Sequence, residues 1–267
     1  MSLVETAKRI AARAAVDKHL TKKIRVLGVG SGSTIVYAFE RVVELARQGL
    51  LHPNLVCVPT SFQANNLIRH AGLTCGQLNE FPKVDLCIDG ADEIDPQLNC
   101  IKGGGAAHYG EKCVAVSAST FILVADYRKR SDVLGVKWTS GVPVEVIPDA
   151  LEIVSLRIKN LSKDGGNNSL MKMLGVSGIG ELYERDEPVV SLRMAVRKAG
   201  PVVTDNGNFV LDVDFGKIYN PRVLEVLLKQ MTGVLEVGLF SNMAQEAWFG
   251  NEDGSVGIRT LKGDSTL

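Results

Sequence analysis

The feature that most constrains the fold is an alternation of short apolar segments with amphipathic ones in the first half of the chain. Apolar runs of strand length occur at residues 26–29, 55–58, 84–88 and 121–125. Apolar side chains recur at helical spacing in the segments around and between these runs, at 5–19, 35–47, a stretch that ends near 70, and 111–117. This alternation is typical of a mainly parallel sheet that helices cover on both faces, so it predicts an α/β fold.

The pattern changes after about residue 135. The sequence then predicts an extended segment at 141–148, a helix at 150–161, a turn at 165–168, extended segments at 189–196 and 202–213, a helix at 221–231 and a strand at 234–240. The run 205–208, Asp-Asn-Gly-Asn, interrupts the second extended segment and is a strong hairpin signal. Residues 250–254 predict one more turn between two short strands.

These patterns predict two domains. Residues 1–136 and 239–267 are expected to form a Rossmann-like catalytic domain with a mainly parallel sheet. Residues 137–238 are expected to form a smaller α+β domain with an antiparallel sheet.

Composition narrows the class of protein. In 267 residues, 30 Lys and Arg balance 30 Asp and Glu, so net charge gives no reason to expect a nucleic acid or a membrane surface as partner. No apolar stretch approaches the ~20 residues that cross a bilayer. The N-terminal segment also lacks the apolar middle of a signal peptide. We therefore expect a cytoplasmic protein.

Cysteine and histidine spacing argues against a metal site. The five Cys include no CxxC pair, and Cys57 and Cys87 lie in apolar segments, as expected for buried thiols in a reducing compartment. The four His show no HxH or HExxH spacing. We therefore expect no metal ion and no cofactor, and any proton transfer has to use the protein's own side chains.

A glycine-rich loop, GVGSGST at residues 28–34, follows the first predicted strand and precedes a helix. N–H groups at a helix N-terminus bind anions, Gly30 and Gly32 let the backbone approach a ligand, and the hydroxyls add donors. The Lys of a nucleotide P-loop is missing, and Ser33 stands where the dinucleotide pattern needs a third glycine. The loop therefore suits a compact phosphate monoester, although a tight turn that needs glycine would have the same sequence.

Four acids crowd the end of the strand predicted at 84–88, in the run DGADEID at residues 89–95. Lys102 and three glycines follow, a cation with successive N–H groups that suits a developing oxyanion. Crowded acids are costly to assemble and indicate a site that moves protons on a small polar substrate. The alternative is a set of turn and cap aspartates beside a flexible loop.

Further polar candidates follow the last predicted strand of the first half. Asp126 and Lys129 come directly after residues 121–125, so a parallel sheet would bring them to the carboxyl edge that carries the two glycine loops. Arg128 and Arg130 are equally plausible basic partners. Glu111 lies near a predicted helix start, where Glu is often only a favourable partner of the helix dipole.

Taken together, these segments resemble a known family. GVGSGST, SFQA, DGADEID, KGGGAA with the following EK, PVVTDNGNF and VGLF closely resemble ribose-5-phosphate isomerases of the A type, in the family's order. The resemblance runs from about residue 5 to about residue 257. SFQA and LGVKW are nearer to the eukaryotic branch, whereas KGGGAA is nearer to the bacterial form.

The resemblance implies metal-free interconversion of ribose 5-phosphate and ribulose 5-phosphate, and a homodimer or a dimer of dimers. It implies that Glu111 abstracts the proton, that Asp89 helps to open the sugar ring, and that Asp92 and Lys102 act beside them. The substrate-binding residues that it implies are Ser31, Gly32, Ser33, Thr34, Gly90, Ala91, Gly103, Gly104, Gly105, Lys129 and Lys8.

Physical chemistry agrees with this assignment. A free glutamate, with a pKa of ~4.3, is a weak base for a carbon acid, so the enediolate oxygens need stabilisation, which Lys102 and the loop amides would provide. Burial and the neighbouring aspartates would raise the pKa of Glu111 and improve it as a base.

Two other function classes remain open from the sequence. A CoA-transferase-like enzyme would use its glutamate as a nucleophile. A sugar-phosphate sensor usually carries a helix-turn-helix module ahead of the fold. Fewer than ~30 residues precede the first glycine loop, which is too few for that module and a helix.

Overall fold

The computed structural model describes residues 2–164 and 169–267 as three sheets with their covering helices. The helices are α1 (Leu3–His19), α2 (Ser33–Arg47), α3 (Phe62–His70), α4 (His108–Ser117), α5 (Leu151–Lys159), α6 (Leu161–Asp164), α7 (Ser169–Met173) and α8 (Pro221–Lys229). The strands are β1 (Val26–Val29), β2 (Val56–Pro59), β3 (Thr74–Cys75), β4 (Val84–Asp89), β5 (Glu93–Ile94), β6 (Cys100–Ile101), β7 (Ala118–Asp126), β8 (Val142–Val146), β9 (Val189–Leu192), β10 (Phe209–Asp214), β11 (Val234–Val237), β12 (Leu239–Phe240), β13 (Glu246–Gly250), β14 (Val256–Thr260) and β15 (Gly263–Thr266). Over these two ranges, no helix combines the length and apolar character needed to span a bilayer.

The largest sheet has eight strands in the order β15-β14-β13-β7-β4-β1-β2-β3. The strands from β13 to β3 pair in parallel, and β14 and β15 extend that edge as antiparallel strands. The predicted mainly parallel sheet is therefore confirmed, as is the turn between two short strands near residue 252. Because the strands are parallel, the carboxyl ends of β1, β4 and β7 lie at one edge.

Alternation along the central strands assigns the two faces of this sheet. Leu27 and Val29 of β1 pack in the cluster that contains the apolar faces of α1 and α2. Val26 packs in the opposite cluster, which contains α4. Gly28 also faces α4, and a methyl group there would come within 2.5 Å of Val114 Cγ1. Gly28 therefore allows α4, the helix that carries Glu111, to lie close to the sheet.

A second sheet contains four strands in the order β11-β8-β10-β9, and all its pairings are antiparallel. It has a hydrophobic cluster of its own, to which α5 and α8 contribute. This arrangement confirms the predicted α+β character of the second region. The domain boundaries at residues 136 and 238 stay a prediction.

The predicted hairpin around residues 205–208 is only partly correct. The turn forms, since the Thr204 N–H donates to Asn208 O at 2.9 Å. However, residues 202–204 are not a strand, and β10 pairs instead with β9 on one side and β8 on the other. Because both edges of β10 are occupied, the arm before the turn has no place in the ladder.

Several other predicted elements end earlier than the sequence pattern suggests, among them the helix predicted at 221–231, which ends at Lys229. The strand predicted at 234–240 breaks at Gly238, where the chain passes from the four-stranded sheet into the three-stranded sheet β12-β6-β5. The helix predicted at 150–161 ends at Lys159, and Asn160 separates it from α6. The turn predicted at 165–168 lies outside the described residues.

Candidate active site

The first glycine loop joins β1 to α2 at the carboxyl edge of the large sheet. Gly30 is needed because a methyl group there would overlap the Asp89 carboxylate. The sequence predicts that Gly30 lets the backbone approach a ligand, but the structure shows a close approach to a protein side chain instead. Gly32 has φ +93° and open space around it. Among the residues that the structure describes, no side chain caps α2, so the N–H groups of its first turn, at Ser33 and Thr34, are available to an anion.

Asp89 ends β4 and is fully buried. Its Oδ1 accepts N–H hydrogen bonds from Ser31 at 2.9 Å and Gly90 at 2.7 Å, and its Oδ2 lies 3.1 Å from Lys102 Nζ. Burial raises the pKa of Asp89, and Lys102 opposes that rise. Asp89 therefore ties the first glycine loop to the lysine.

The acidic run divides into two side chains that contact the glycine loops and two that hold other loops. Asp92 Oδ2 accepts the Gly104 N–H at 2.8 Å, so this acid contacts the second glycine loop. Glu93 is buried and accepts four backbone N–H groups from residues 135–138. Asp95 accepts the N–H groups of Gln97 and Asn99 in a turn. The prediction that the whole run serves proton transfer is therefore too broad, because Glu93 and Asp95 hold loops.

Lys102 is buried, with a relative exposure of 2%, between two carboxylates. Its Nζ lies 3.1 Å from Asp89 Oδ2 and 3.2 Å from Glu111 Oε1, and it donates to Gly90 O. Burial alone would lower the pKa of Lys102, but Asp89 and Glu111 hold it above its ordinary value. The ammonium therefore stays charged, as a buried cation with two anionic partners requires.

Glu111 lies in the first turn of α4 and is 5% exposed. Burial raises the pKa of Glu111 to about 8, the Asp89 charge acts in the same direction, and Lys102 opposes both. Glu111 Oε2 is buried and accepts no hydrogen bond from the part of the chain that the structure describes. The site thus holds one carboxyl group whose pKa suits a general base near neutral pH.

Lys112, the next residue, fixes the helix that carries Glu111. Its Nζ contacts Glu225 at 2.7 Å and Glu236 at 3.1 Å, and it donates to two backbone carbonyls near the end of β11. Of the Glu-Lys pair in the sequence motif, Glu111 therefore lines the cavity and Lys112 contacts the second sheet.

Three basic side chains, of Lys8, Arg128 and Lys129, share one cavity with the N-terminus of α2. Lys8 Nζ donates to Ser33 Oγ at 3.0 Å, which brings α1 to the first glycine loop. Arg128 is held by Asp126 through a 2.7 Å contact, and Lys129 lies over the Trp138 ring at 5.1 Å. Arg130 instead lies over Phe249, so the structure distinguishes these basic candidates, which the sequence left equivalent.

Parts of both glycine loops line one cavity of about 230 Å³, together with Glu111 and the basic side chains of Lys8, Arg128 and Lys129. Of the site residues that the family resemblance implies, Asp89 alone does not line it, because it is buried behind Lys102. The predicted residues that line the cavity are Lys8, Ser31, Gly32, Ser33, Thr34, Gly90, Ala91, Asp92, Lys102, Gly103, Gly104, Gly105, Glu111 and Lys129. Asp126 and Arg128 also line it, and their position directly after an apolar strand was the signal for them.

Comparison with known proteins identifies the family. A family model described as ribose 5-phosphate isomerase A (phosphoriboisomerase A) matches residues 56–254. The chain belongs to the ribose 5-phosphate isomerase A family. Ribose-5-phosphate isomerase of Homo sapiens is 48% identical over 97% of this chain and 75% of its own length. The enzyme of the same name from Cryptococcus neoformans is 47% identical over 97% of this chain and 81% of its own length.

Solved structures of this family share the fold. Ribose 5-phosphate isomerase from Plasmodium falciparum is 31% identical, with a TM-score of 0.80, over 96% of this chain and 98% of that one. A D-ribose-5-phosphate isomerase in complex with phospho-erythronic acid is 35% identical, with a TM-score of 0.79, over 100% of this chain and 99% of that one. Membership favours the isomerase over the CoA-transferase-like enzyme and the sensor.

Proposed function

We propose that the chain interconverts ribose 5-phosphate and ribulose 5-phosphate through an enediolate, with Glu111 as the base that moves the proton. The observation that carries this proposal is the position of Lys102 Nζ, 3.1 Å from Asp89 Oδ2 and 3.2 Å from Glu111 Oε1, at a cavity whose other groups suit a phosphate. One carboxyl of raised pKa beside one fixed cation is what proton abstraction next to a carbonyl requires.

The phosphate of the substrate binds at the N-terminus of α2. Its amides, the hydroxyls of Ser33 and Thr34, and the cations Lys8, Arg128 and Lys129 together supply donors and positive charge. This anchor leaves the other end of the five-carbon chain beside Glu111 and Lys102.

Proton transfer runs between two adjacent carbons. Glu111 removes the proton from carbon 2 of the open-chain aldose and returns it to carbon 1, while a second proton moves between the two oxygens. Lys102 and the loop amides stabilise the negative charge that develops on these oxygens. For ring opening, Asp92 is better placed than Asp89, because Asp92 lines the cavity and Asp89 lies behind Lys102.

The proposal is tested with wild-type protein and Glu111→Gln. Wild type should form ketose from ribose 5-phosphate in the presence of EDTA, because proton transfer uses side chains of the chain itself. Glu111→Gln should lower kcat by about 100-fold or more with KM largely kept, and should stop exchange of the carbon 2 proton with deuterium. Glu40→Gln, on an exposed position of α2, is the matched control.

Two results would contradict the proposal. Near-normal turnover and exchange in Glu111→Gln would move the base to another acid, of which Asp92 is the best placed. Loss of activity in EDTA, with recovery on adding one divalent ion, would replace the metal-free mechanism. The homodimer or dimer of dimers and the cytoplasmic location stay predictions.

A further inference from the structure

Arg193 contacts the second glycine loop from the side of the four-stranded sheet. It directly follows β9, and its own N–H donates to Val210 O, which continues the pairing of β9 with β10. Its Nε donates to Asp212 Oδ2 at 2.8 Å, and its Nη2 donates to the other oxygen of the same carboxylate. A bidentate Arg–Asp pair of this kind fixes the plane of the guanidinium.

The remaining nitrogen of Arg193 reaches the glycine loop. Nη1 donates to Gly103 O at 2.9 Å and to Gly104 O at 3.2 Å. One guanidinium therefore holds two successive peptide groups of a loop in which three glycines restrict the backbone very little. The loop also contains a backbone conformation that residues other than glycine rarely adopt, with φ +98° at Gly103.

Because the peptide group is planar, these carbonyl contacts also fix the directions of two N–H groups. A trans peptide is planar, and its C=O and N–H point in opposite directions. The peptide with the Gly103 carbonyl has the Gly104 N–H, which donates to Asp92 on the cavity side at 2.8 Å. The peptide with the Gly104 carbonyl has the Gly105 N–H, which is directed away from Arg193 in the same way. Both glycines line the cavity.

We propose that Arg193 is a positioning residue that orients the Gly104 and Gly105 peptides, so that Asp92 and the Gly105 N–H are fixed on the substrate side of the loop. The inference rests on the proposed function. Arg193 itself does not line the cavity. It acts through the loop, and its positive charge also polarises both peptides, which strengthens their N–H groups as donors. Because the enediolate needs the Gly105 N–H and a fixed Asp92 more than the sugar does, the effect belongs to turnover rather than to phosphate binding.

The test compares Arg193→Gln, Arg193→Lys and Asp212→Asn with a matched control, Arg185→Gln. Arg185 also forms an ion pair with an aspartate of β10, Asp214, and makes no hydrogen bond to the glycine loop. We expect Arg193→Gln to lower kcat by about tenfold or more with KM changed less than about threefold. Arg193→Lys and Asp212→Asn should fall between this variant and wild type, and Arg185→Gln should keep wild-type constants.

Calorimetry with two ligands separates positioning from general structural support. Phospho-erythronic acid presents a carboxylate at the end where the enediolate forms, and inorganic phosphate tests the anchor alone. Arg193→Gln should bind phospho-erythronic acid more weakly in proportion to its loss of kcat, and should bind phosphate as wild type does. Equal weakening of both ligands, or a kcat within twofold of wild type, would overturn the inference.

Two further outcomes are also decisive. If Arg193→Gln does not fold, Arg193→Lys keeps the charge, and wild-type kcat in Arg193→Lys would overturn the inference. If wild type lacks isomerase activity, the proposed function fails, while the difference between the two ligands in calorimetry still decides whether Arg193 orients the loop.

Discussion

At the scale of single residues, the site is a problem of charge. Lys102 supplies one positive charge, whereas Asp89 and Glu111 both approach it within 3.2 Å. Two carboxylates that share one buried cation cannot both ionise as easily as free ones, so the pair titrates as a unit. The pKa of Glu111 is raised mainly by burial and then by the Asp89 charge, and Lys102 opposes both.

This charge balance predicts the pH dependence. If Glu111 is the base, as proposed, it works only when deprotonated, so kcat/KM should rise with pH and level off above about pH 8, the pKa of Glu111 in the free protein. Asp89→Asn removes a negative charge that raises this pKa, so the acid limb should move to lower pH by about one unit or more. The measurement is kcat/KM from pH 5 to 9 for both proteins. Ionisation of the substrate phosphate is the same in both, and an unmoved limb would show that another group sets it.

The residue scale also shows the limits of sequence reasoning. Lys102, the serines of the first loop and the glycines that line the cavity could be predicted from local motifs, whereas Glu111 was singled out only by the family resemblance. It could not be predicted that Asp92 contacts the second glycine loop whereas Glu93 holds residues 135–138, because these contacts depend on which backbone amides the fold brings to each carboxylate. Arg193 gave no local signal, since the carbonyls it holds are about 90 residues away in the chain.

At the scale of elements, the junction between two sheets fixes Lys102, the lysine of the proposed mechanism. β11 and β12 belong to different sheets, and Gly238 lies between them. The Lys102 N–H donates to Gly238 O at 2.9 Å, and the Gly238 N–H donates to Pro143 O at 2.6 Å. Periodicity predicted one continuous strand here, because apolar residues continue across the break and only the pairing partners change.

Gly238→Ala should therefore damage both stability and turnover. A methyl group at this position would overlap Lys102 O and come within 2.8 Å of Pro143 Cδ, so the backbone has to move. We expect a loss of about 1–3 kcal/mol in the free energy of unfolding, and a fall in kcat because Lys102 shifts. Denaturant unfolding and kinetics measure the two effects. Gly178→Ala, where a methyl group meets no atom within 4 Å, is the control. Lower stability with wild-type kcat would show that the junction supports the fold without setting the position of Lys102.

At the scale of the whole molecule, the end of the cavity that is proposed to bind phosphate depends on how α1 lies on the large sheet. α1 carries Lys8, whose Nζ reaches Ser33 Oγ at 3.0 Å. Gly250, at the end of β13, lies directly against the backbone of Ala7, leaving no room for a methyl group. Arg13 and Glu44 connect the same helix to α2. The mainly parallel sheet was predictable from alternation, whereas its strand order and this close contact were not.

Gly250→Ala should displace α1 and with it Lys8. We expect KM for ribose 5-phosphate to rise about threefold or more while kcat changes less, together with a lower thermal midpoint, because the variant alters the anchor and not the reacting end. Steady-state kinetics and thermal unfolding provide the measurements, with Gly180→Ala as a control in open space. A lower midpoint with unchanged KM would exclude Lys8 from phosphate binding.

The position of β13 beside β7 has a consequence for synthesis on the ribosome. β7 carries Asp126 at its end and is complete once that residue has been made, but its neighbour on one side comes from residues 246–250. Until the ribosome has added those residues, β7 presents a bare parallel edge of hydrogen-bonding groups. Nascent chains stalled between the two strands should therefore recruit chaperones or pair with one another through this edge, and completed chains should not.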